Sequence, residues 1–312
     1  MKTLVGIDAL EPPENGSAVT IGTFDGVHVG HRTLIAKAIE DAEKQGATSV
    51  GVTWDRHPNE TLRPERTPPL ITSPARKIEL LGEAGLEVIA VIPFDHELAQ
   101  WPPERFVQEV LVTGLAARSV VVGFDWRFGH RAKGDVALLT EMGGTLGFDV
   151  DGVRLQEVGD EPVTSSRVRR VIEAGDMEDA RTLLARPFDI DGTVVRGDQR
   201  GRTLGYPTAN IEADPRLVRP PIGVYAGVAH VGGERKAAAI NIGVNPTFGG
   251  EDGSTPHRIE PYLLDFEGDL YGRTLRLEFW KRLRDELKFD SADDLVAQMD
   301  KDVAETRALI GL

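Results

Sequence analysis

The sequence predicts two folds in one chain. The first is an α/β domain built on an open parallel sheet with helices on both faces. The second is a small antiparallel β-barrel with a C-terminal helix. Three observations carry this. Over the first half, apolar strand-like runs alternate with amphipathic helical patterns. Beyond Arg186-Pro187, short β-rich runs punctuated by Gly, Pro and Asn follow one another without a helix between them. The chain has 312 residues, room for two domains at ~100–200 residues each. The change of character sets the boundary, giving domains 1–186 and 187–312.

Taken in order, Ala18, Val19 and Ile21 read as a short buried strand ending at Gly22. Leu34, Ile35, Ala38, Ile39 and Ala42 then recur at helical spacing from just after His31. Ser49–Trp54 is β-branched and short enough to be the next buried strand. Pro58, Pro64, Pro68, Pro69 and Pro74 make the following stretch irregular, until Ser73-Pro74 starts a helix with Pro at its first position. Val88–Ile92 is a strand, Pro102-Pro103-Glu104 opens a helix through Val110, Ser119–Gly123 is a strand, and Asp135–Met142 a helix. Ser165-Ser166-Arg167 caps a helix with Val168, Val171 and Ile172, and Gly175-Asp176 begins a short connecting helix over Met177–Ala185. The barrel strands are Phe188–Val195, Gly223–Val231, Ala237–Ile242, Tyr262–Phe266 and Thr274–Phe279. Ser291 caps a last helix with Leu295, Met299, Val303 and Leu309 as its apolar stripe.

Composition narrows the class. Hydrophobic residues make up 40% and charged residues 28%, as in ordinary globular chains. Cysteine is absent, so disulfides and thiolate metal sites are excluded, which fits a reducing cytoplasm. No apolar run nears the ~20 residues that span a bilayer, and Met1–Pro13 lacks a signal-peptide pattern. The expectation is a cytoplasmic protein without a membrane partner, a monomer or weak homo-oligomer. A net charge of −14 disfavours nucleic acid. The short basic clusters at Arg127–Lys133, Arg167–Arg170 and Arg196–Arg202 lie beside Gly or Ser-Ser. That setting suits small phosphate ligands.

Open α/β sheets bind ligands at the carboxyl ends of their strands. That rule gathers Gly22–His31, Asp55–Pro58 and Phe124–His130, with the helix start at Ser165-Ser166-Arg167. In Gly22-Thr23-Phe24-Asp25-Gly26-Val27-His28-Val29-Gly30-His31, two histidines sit where strand turns into helix N-terminus, an anion-attracting end. Glycines 22, 26 and 30 would let the backbone approach a ligand closely. Phosphate binding is the reading, with a metal site as its rival.

A second candidate runs from Gly192 to Gly205, with four glycines and three arginines, followed at once by Tyr206-Pro207-Thr208-Ala209-Asn210. Backbone N–H and guanidinium groups of such a loop can wrap phosphates. Thr208 and Asn210 face one side of an extended segment and suit Mg²⁺ held partly by nucleotide phosphates. A hairpin loop with a Pro turn explains the spacing equally well. Glu260, just before the Tyr262–Phe266 run, is either a general base or a solvent-facing carboxylate.

These motifs together resemble the bifunctional prokaryotic riboflavin kinase/FAD synthetase family. His28-Val29-Gly30-His31 is similar to the His-x-Gly-His signature of a Rossmann-like nucleotidyltransferase domain. Val122–Gly129 and Thr164–Arg169 resemble two further motifs of that domain. Gly201–Asn210, Gly223–Ala226, Asn241–Phe248 and Leu264–Gly272 resemble riboflavin kinase. The resemblance implies that riboflavin is phosphorylated by ATP to FMN, and that FMN is then adenylylated by a second ATP to FAD and pyrophosphate, with Mg²⁺ serving both. It implies Glu260 as catalytic base of the kinase and Thr208 and Asn210 as Mg²⁺ and ATP ligands beside Gly197, Gly201 and Arg202. Arg284 and Phe289 are candidates at the flavin, on a loop over Arg282–Phe289 that reads equally well as a flavin cover or as a charged connector. For adenylyl transfer it implies His28 and His31 as catalytic, with Gly22, Phe24, Asp25, His57, Ser165, Ser166 and Arg167 at ATP and Asp125 at the FMN phosphate. A flavin-nucleotide sensor without turnover is the competing class. Two positions depart from the family pattern: Arg56 replaces a proline and would add a cation near the nucleotide, and Pro261 follows Glu260, which fits an edge or bulge.

Overall fold

A computed structural model describes residues 1–154, 156–197, 205–244 and 257–312. They form two compact units, one of residues 1–70 and 74–165 and the other of 71–73 and 166–312.

In chain order the first unit contains β1 (Lys2–Val5), β2 (Ser17–Ile21), α1 (Val29–Gln45), β3 (Thr48–Trp54), α2 (Pro58–Leu62), α3 (Pro74–Glu83) and β4 (Val88–Ile92). It continues through α4 (Pro103–Phe106), β5 (Ala117–Gly123), α5 (Val136–Leu146), β6 (Asp149–Val153) and the small pair β7 (Glu157–Val158) and β8 (Glu161–Pro162). Six strands pair in parallel in the order β1-β4-β3-β2-β5-β6. From β2 the chain winds outward through β3 and β4, then returns to the other side of β2 for β5 and β6. The order therefore reverses between β2 and β5, where a crevice opens at the strand ends. Alternate residues feed two cores. Val19, Ile21, Val50, Val52, Ala90 and Ile92 pack on the α4 side with Phe106, Val110 and Leu139, whereas Ile89 and Val91 pack with Ile35, Leu80 and Leu81 of α1 and α3.

The predicted elements of this unit are present, with additions. β1 and β6 were not expected, because each offers little apolar signal: only Leu4 of β1 is buried, and β6 is the edge sequence Asp-Val-Asp-Gly-Val. The helix opening at Pro103 passes after Phe106 into a π-helical stretch, Val107–Gly114.

The second unit begins with α6 (Ser165–Ala174) and α7 (Met177–Leu184), the latter capped by the Asp176 carboxylate accepting from the Asp179 N–H. Strands β9 (Phe188–Val195), β10 (Asn210–Ala213), β11 (Gly223–Val231), β12 (Glu234–Val244), β13 (His257–Leu263) and β14 (Thr274–Arg284) close an antiparallel barrel in the order β10-β13-β12-β11-β14-β9. Helix α8 (Ala292–Ile310) ends the unit, its Ser291 hydroxyl accepting from the Asp294 N–H. Period-two alternation sends Phe188, Ile190, Ile240, Ile259, Leu277 and Phe279 into the barrel core. β13 lies earlier than the Tyr262–Phe266 run expected from sequence, and β14 continues past Phe279 to Arg284. Glu260 thus sits within a strand, opposite Asn241, and Pro261 pairs in register with Ile240 without a bulge.

Candidate active sites

The Gly22–His31 turn leaves β2 at the topological switch. His28 is itself the N-cap of α1, its Nδ1 accepting the His31 N–H at 3.4 Å. The two imidazoles stack with centroids 3.6 Å apart, and Phe24 meets His31 edge-on at 5.2 Å. Burial, His28 and Lys77 together push the His31 pKa well below its ordinary 6.5. Its ring is therefore neutral near pH 7, acting as a hydrogen-bonding group at a helix N-terminus rather than as a cation.

The turn is held under strain. Phe24 (φ 52°) and Val27 (φ 43°) adopt left-handed backbone while wholly buried, each at a cost of ~1–3 kcal/mol. Three donors pin the backbone around them. Thr53 Oγ1 and Lys77 Nζ donate to the Thr23 carbonyl at 3.2 and 3.3 Å, and Ser165 Oγ donates to the Asp25 carbonyl at 3.0 Å. The glycines serve this packing. A Cβ on Gly22 would press on the Phe24 ring at 3.1 Å, and one on Gly30 would meet the His28 ring at 3.2 Å. Their bare backbone makes room for the loop's own rings.

Lys77 is buried on α3 and also donates to the Trp54 carbonyl at 2.7 Å. Burial draws its pKa from 10.5 down to about 8, against the pull of Asp25, Asp55 and Glu60. His57 caps α2: its Nδ1 accepts the Asn59 N–H at 3.1 Å while Glu60 accepts the His57 N–H at 2.9 Å. The cation expected from Arg56 is engaged by Asp55 at 2.8 Å, and Asp55 also accepts the Phe94 N–H at 2.9 Å. Burial alone would raise the Asp55 pKa, but these hydrogen bonds bring it below its ordinary value.

Beside this turn lies a cavity of about 670 Å³, lined by Gly22, Thr23, Trp54, Phe94, Trp126 and Phe128 among others. Trp126 and Phe128 stack with centroids 4.6 Å apart at 12°, and Trp54 packs edge-on to Phe94. The chamber's aromatic wall can receive a planar ring, and Arg63, Arg127 and Arg131 also line it. Asp125 is exposed on the turn that follows β5. Ser166 and Arg167 lie in the first turn of α6, in the second unit.

The barrel holds the second cluster. On β13, Arg258, Glu260 and Tyr262 share the face opposite Ile259 and Leu263, and with Thr208, Asn241 and residues of α8 they line a cavity of about 420 Å³. Arg258 Nε lies 2.6 Å from Asn210 Oδ1 and 3.2 Å from Glu260 Oε1. Gly197 makes room for Asn210, whose amide would be 2.1 Å from a Cβ there. Gly201 and Arg202 lie outside the described residues. Arg284 is the last residue of β14, not a loop residue, and chelates Asp302 of α8 at 2.7–3.1 Å. Both Arg284 and Phe289 line the cavity. Another groove runs past Val194, Thr208, Phe266, Asp269 and Tyr271.

Sequence reasoning missed Lys77, Arg258 and the aromatic chamber. Lys77 had a signal: it occupies the apolar stripe Lys77-Leu80-Leu81-Ala84, where a lysine is out of place. The chamber's aromatics come from separate loops, so no single window displays them.

Residues 10–167 match the FAD synthetase family and residues 184–310 the riboflavin kinase family. The chain is 37% identical to the bifunctional riboflavin kinase/FMN adenylyltransferase of Pseudomonas fluorescens, over 99% of this chain and 98% of that protein. To the Bacillus subtilis protein of the same description it is 36% identical, over 93% and 91%. A crystal structure described as a macrolide-efflux protein from Streptococcus pneumoniae superposes with a TM-score of 0.87 at 31% identity, covering 98% of this chain and 99% of that one. Among the described residues of this chain no helix is long and apolar enough to cross a membrane. The chain belongs to the bifunctional riboflavin kinase/FMN adenylyltransferase family, transferases that make FMN from riboflavin and FAD from FMN at the expense of ATP.

Proposed function

We propose that the two reactions are divided between the two sites, with adenylyl transfer at the β2–α1 turn of domain 1–186 and riboflavin phosphorylation at the barrel cavity of domain 187–312. The observation that carries this reading is that each compact unit has its own cavity and its own set of polar groups.

In adenylyl transfer, FMN lays its ring in the chamber of Trp126 and Phe128 while ATP sits at the N-terminus of α1. Gly22, Asp25 and Ser165 frame the nucleotide, and Phe24 supports it by holding His31. The family resemblance adds His57, Ser166 and Arg167 at ATP and Asp125 at the FMN phosphate. An FMN phosphate oxygen bonds to the α-phosphorus as the bond to pyrophosphate breaks. The nucleophile is already anionic, so no strong base is needed. His28 and His31 donate toward charge growing on the α-phosphate and the departing pyrophosphate.

In the kinase, riboflavin occupies the barrel cavity beside Arg284 and Phe289. Glu260 accepts the proton of the 5′-hydroxyl as its oxygen bonds to the γ-phosphorus and ADP departs. The family resemblance adds Gly197, Gly201 and Arg202 at the phosphates. Thr208 and Asn210 would hold Mg²⁺, which neutralises phosphate charge when bound. Both side chains offer the oxygen donors that Mg²⁺ takes, and Asn210 Oδ1 would exchange the Arg258 guanidinium for the ion. Among the described residues no cluster of three or more His, Cys, Asp or Glu could cage a metal, so on this reading the ion would be held largely by nucleotide phosphates. We read the protein as cytoplasmic, a monomer or weak homo-oligomer acting on flavins and ATP, without nucleic-acid or membrane partners.

The test follows the flavins separately. Glu260→Ala should lose riboflavin phosphorylation by ~10²–10⁴-fold and still convert FMN to FAD. His28→Ala with His31→Ala should do the reverse. Loss of both activities in either variant would contradict divided sites. Riboflavin left unchanged by the wild-type protein with ATP and Mg²⁺ would favour a sensor.

A further inference from the structure

Among buried groups in the first unit, Lys77 has no part in the mechanism above. Its ammonium reaches two carbonyls that belong to different strand ends, Thr23 beyond β2 and Trp54 at the end of β3. Thr23 immediately precedes the strained stretch Phe24–Val27, and His28 immediately follows it. The same ammonium lies close enough to His31 to lower its pKa. A strained turn keeps its shape only where its surroundings over-determine it, and Lys77 is one of few charged anchors there.

We propose that Lys77 is a positioning residue for adenylyl transfer: its ammonium clasps the ends of β2 and β3 and fixes the turn that presents His28 and His31. The proposal rests on the assignment of adenylyl transfer to this turn. It explains why a lysine stands in the apolar stripe of α3, where leucine would pack at less cost. The charged and titratable groups around it are Asp25 on the turn, Asp55 after β3, Glu60 on α2 and the two histidines of α1. Three carboxylates favour the charged ammonium, and burial opposes it. With its pKa at about 8, the clasp is charged at neutral pH and loses its charge in mild alkali, which weakens both hydrogen bonds. Adenylyl transfer should therefore decline as pH rises through about 8, while riboflavin phosphorylation in the same chain does not follow that limb.

The experiment compares Lys77→Met, which keeps the stem, with Lys77→Arg, which keeps the charge. Each full-length variant is assayed for FMN adenylylation and for riboflavin phosphorylation, and its histidine ring signals are titrated by NMR. Lys77→Met should lose about 10²-fold in kcat for FAD formation, the scale expected of a misplaced catalytic group. KM for FMN and ATP should stay within about 3-fold, since nothing that touches either substrate is removed. Its His31 titration should move upward, and its kinase activity should match wild type. Lys77→Arg should recover part of the kcat and lose the limb near pH 8. A Met variant within 3-fold of wild type overturns the proposal, as does a kcat loss with unmoved His31 and no recovery in the Arg variant. If Lys77→Met does not fold, the limb decides: a wild-type profile flat across pH 8 overturns it. The His28→Ala, His31→Ala variant separates the premise, because retained adenylyl transfer there refutes the site assignment rather than the clasp.

Discussion

The ion pair that ties α8 to the barrel offers a prediction whose size can be worked out. Arg284 presents Nε and Nη2 to both carboxylate oxygens of Asp302, which also accepts from Gln298 at 2.9 Å. The side chains are 18% and 8% exposed, so solvent screens the pair little. Arg284→Met keeps the aliphatic stem and leaves Asp302, among the described residues, with the Gln298 amide alone. Breaking a buried pair from one side costs about 3–5 kcal/mol. Because the adjoining cavity admits water to Asp302, the lower end applies. For a unit of about 150 residues, each kcal/mol is worth about 2–4 °C, so its Tm should fall by roughly 6–12 °C. Arg284→Met with Asp302→Leu removes both charges and should recover most of that loss, since apolar replacement of a buried pair is often neutral or stabilising. Calorimetry that resolves the two units measures this directly. A single variant within 2 °C of wild type, or a double variant no better than the single, would refute the reasoning. Riboflavin KM separates two roles for Arg284: recovery in the double variant means that it acts by seating α8, while a KM that stays high supports direct contact with the flavin.

Two further outcomes follow from the same kind of argument. A Cβ on Gly227 would lie 2.0 Å from the Glu278 carbonyl oxygen across the β11–β14 ladder. Gly227→Ala should therefore abolish the barrel unit's thermal transition and riboflavin phosphorylation while FMN adenylylation persists. For His31, whose folded pKa is lowered from 6.5, the unfolded chain takes up a proton that the folded state refuses. Stability then falls as pH drops below about 6.5 toward the folded value, and is unaffected above it. His31→Gln should shrink the acid-side decline in the urea midpoint of the first unit, and an unchanged decline would show that other groups cause it.

How much of this was legible in the sequence depends on whether the signal was local. Strands buried on both faces, such as Val88–Ile92, write themselves as apolar runs, and capped helices write their own starts at Ser291 and Asp176. β6 could not be read that way: at the edge of the sheet its residues face water, and Asp149-Val-Asp-Gly-Val carries neither a run nor an apolar period. At the first site the histidines were legible because motif and helix N-terminus fall in one window. The lowered His31 pKa was not, because it comes first from burial and then from His28 and Lys77, the last of these 46 positions further on, and all of it reached only through the fold.

The barrel site makes the same point from the other side. Periodicity says that Thr208 and Asn210 share a side, and that Arg258, Glu260 and Tyr262 share another, but it cannot say that the two sides meet. That juxtaposition comes from closure of the barrel, in which β13 lies between β10 and β12. β12 faces Glu260 with Asn241, and the Ala209 N–H bonds the Pro261 carbonyl at 3.0 Å. Pro261, which by sequence suits an edge or bulge, is accommodated because it donates no hydrogen bond, while its carbonyl still ties down the Thr208–Asn210 segment. A residue that reads as a disturbance beside the candidate base thus helps fix the distance between that base and the two oxygen donors. Its ring also holds φ near −65°, so replacing Pro261 with alanine should loosen the spacing of Glu260 from Asn210. The expected result is a lower kcat for riboflavin phosphorylation with FAD formation unchanged, and equal kcat in both proteins would show that the ladder to β12 alone sets the spacing.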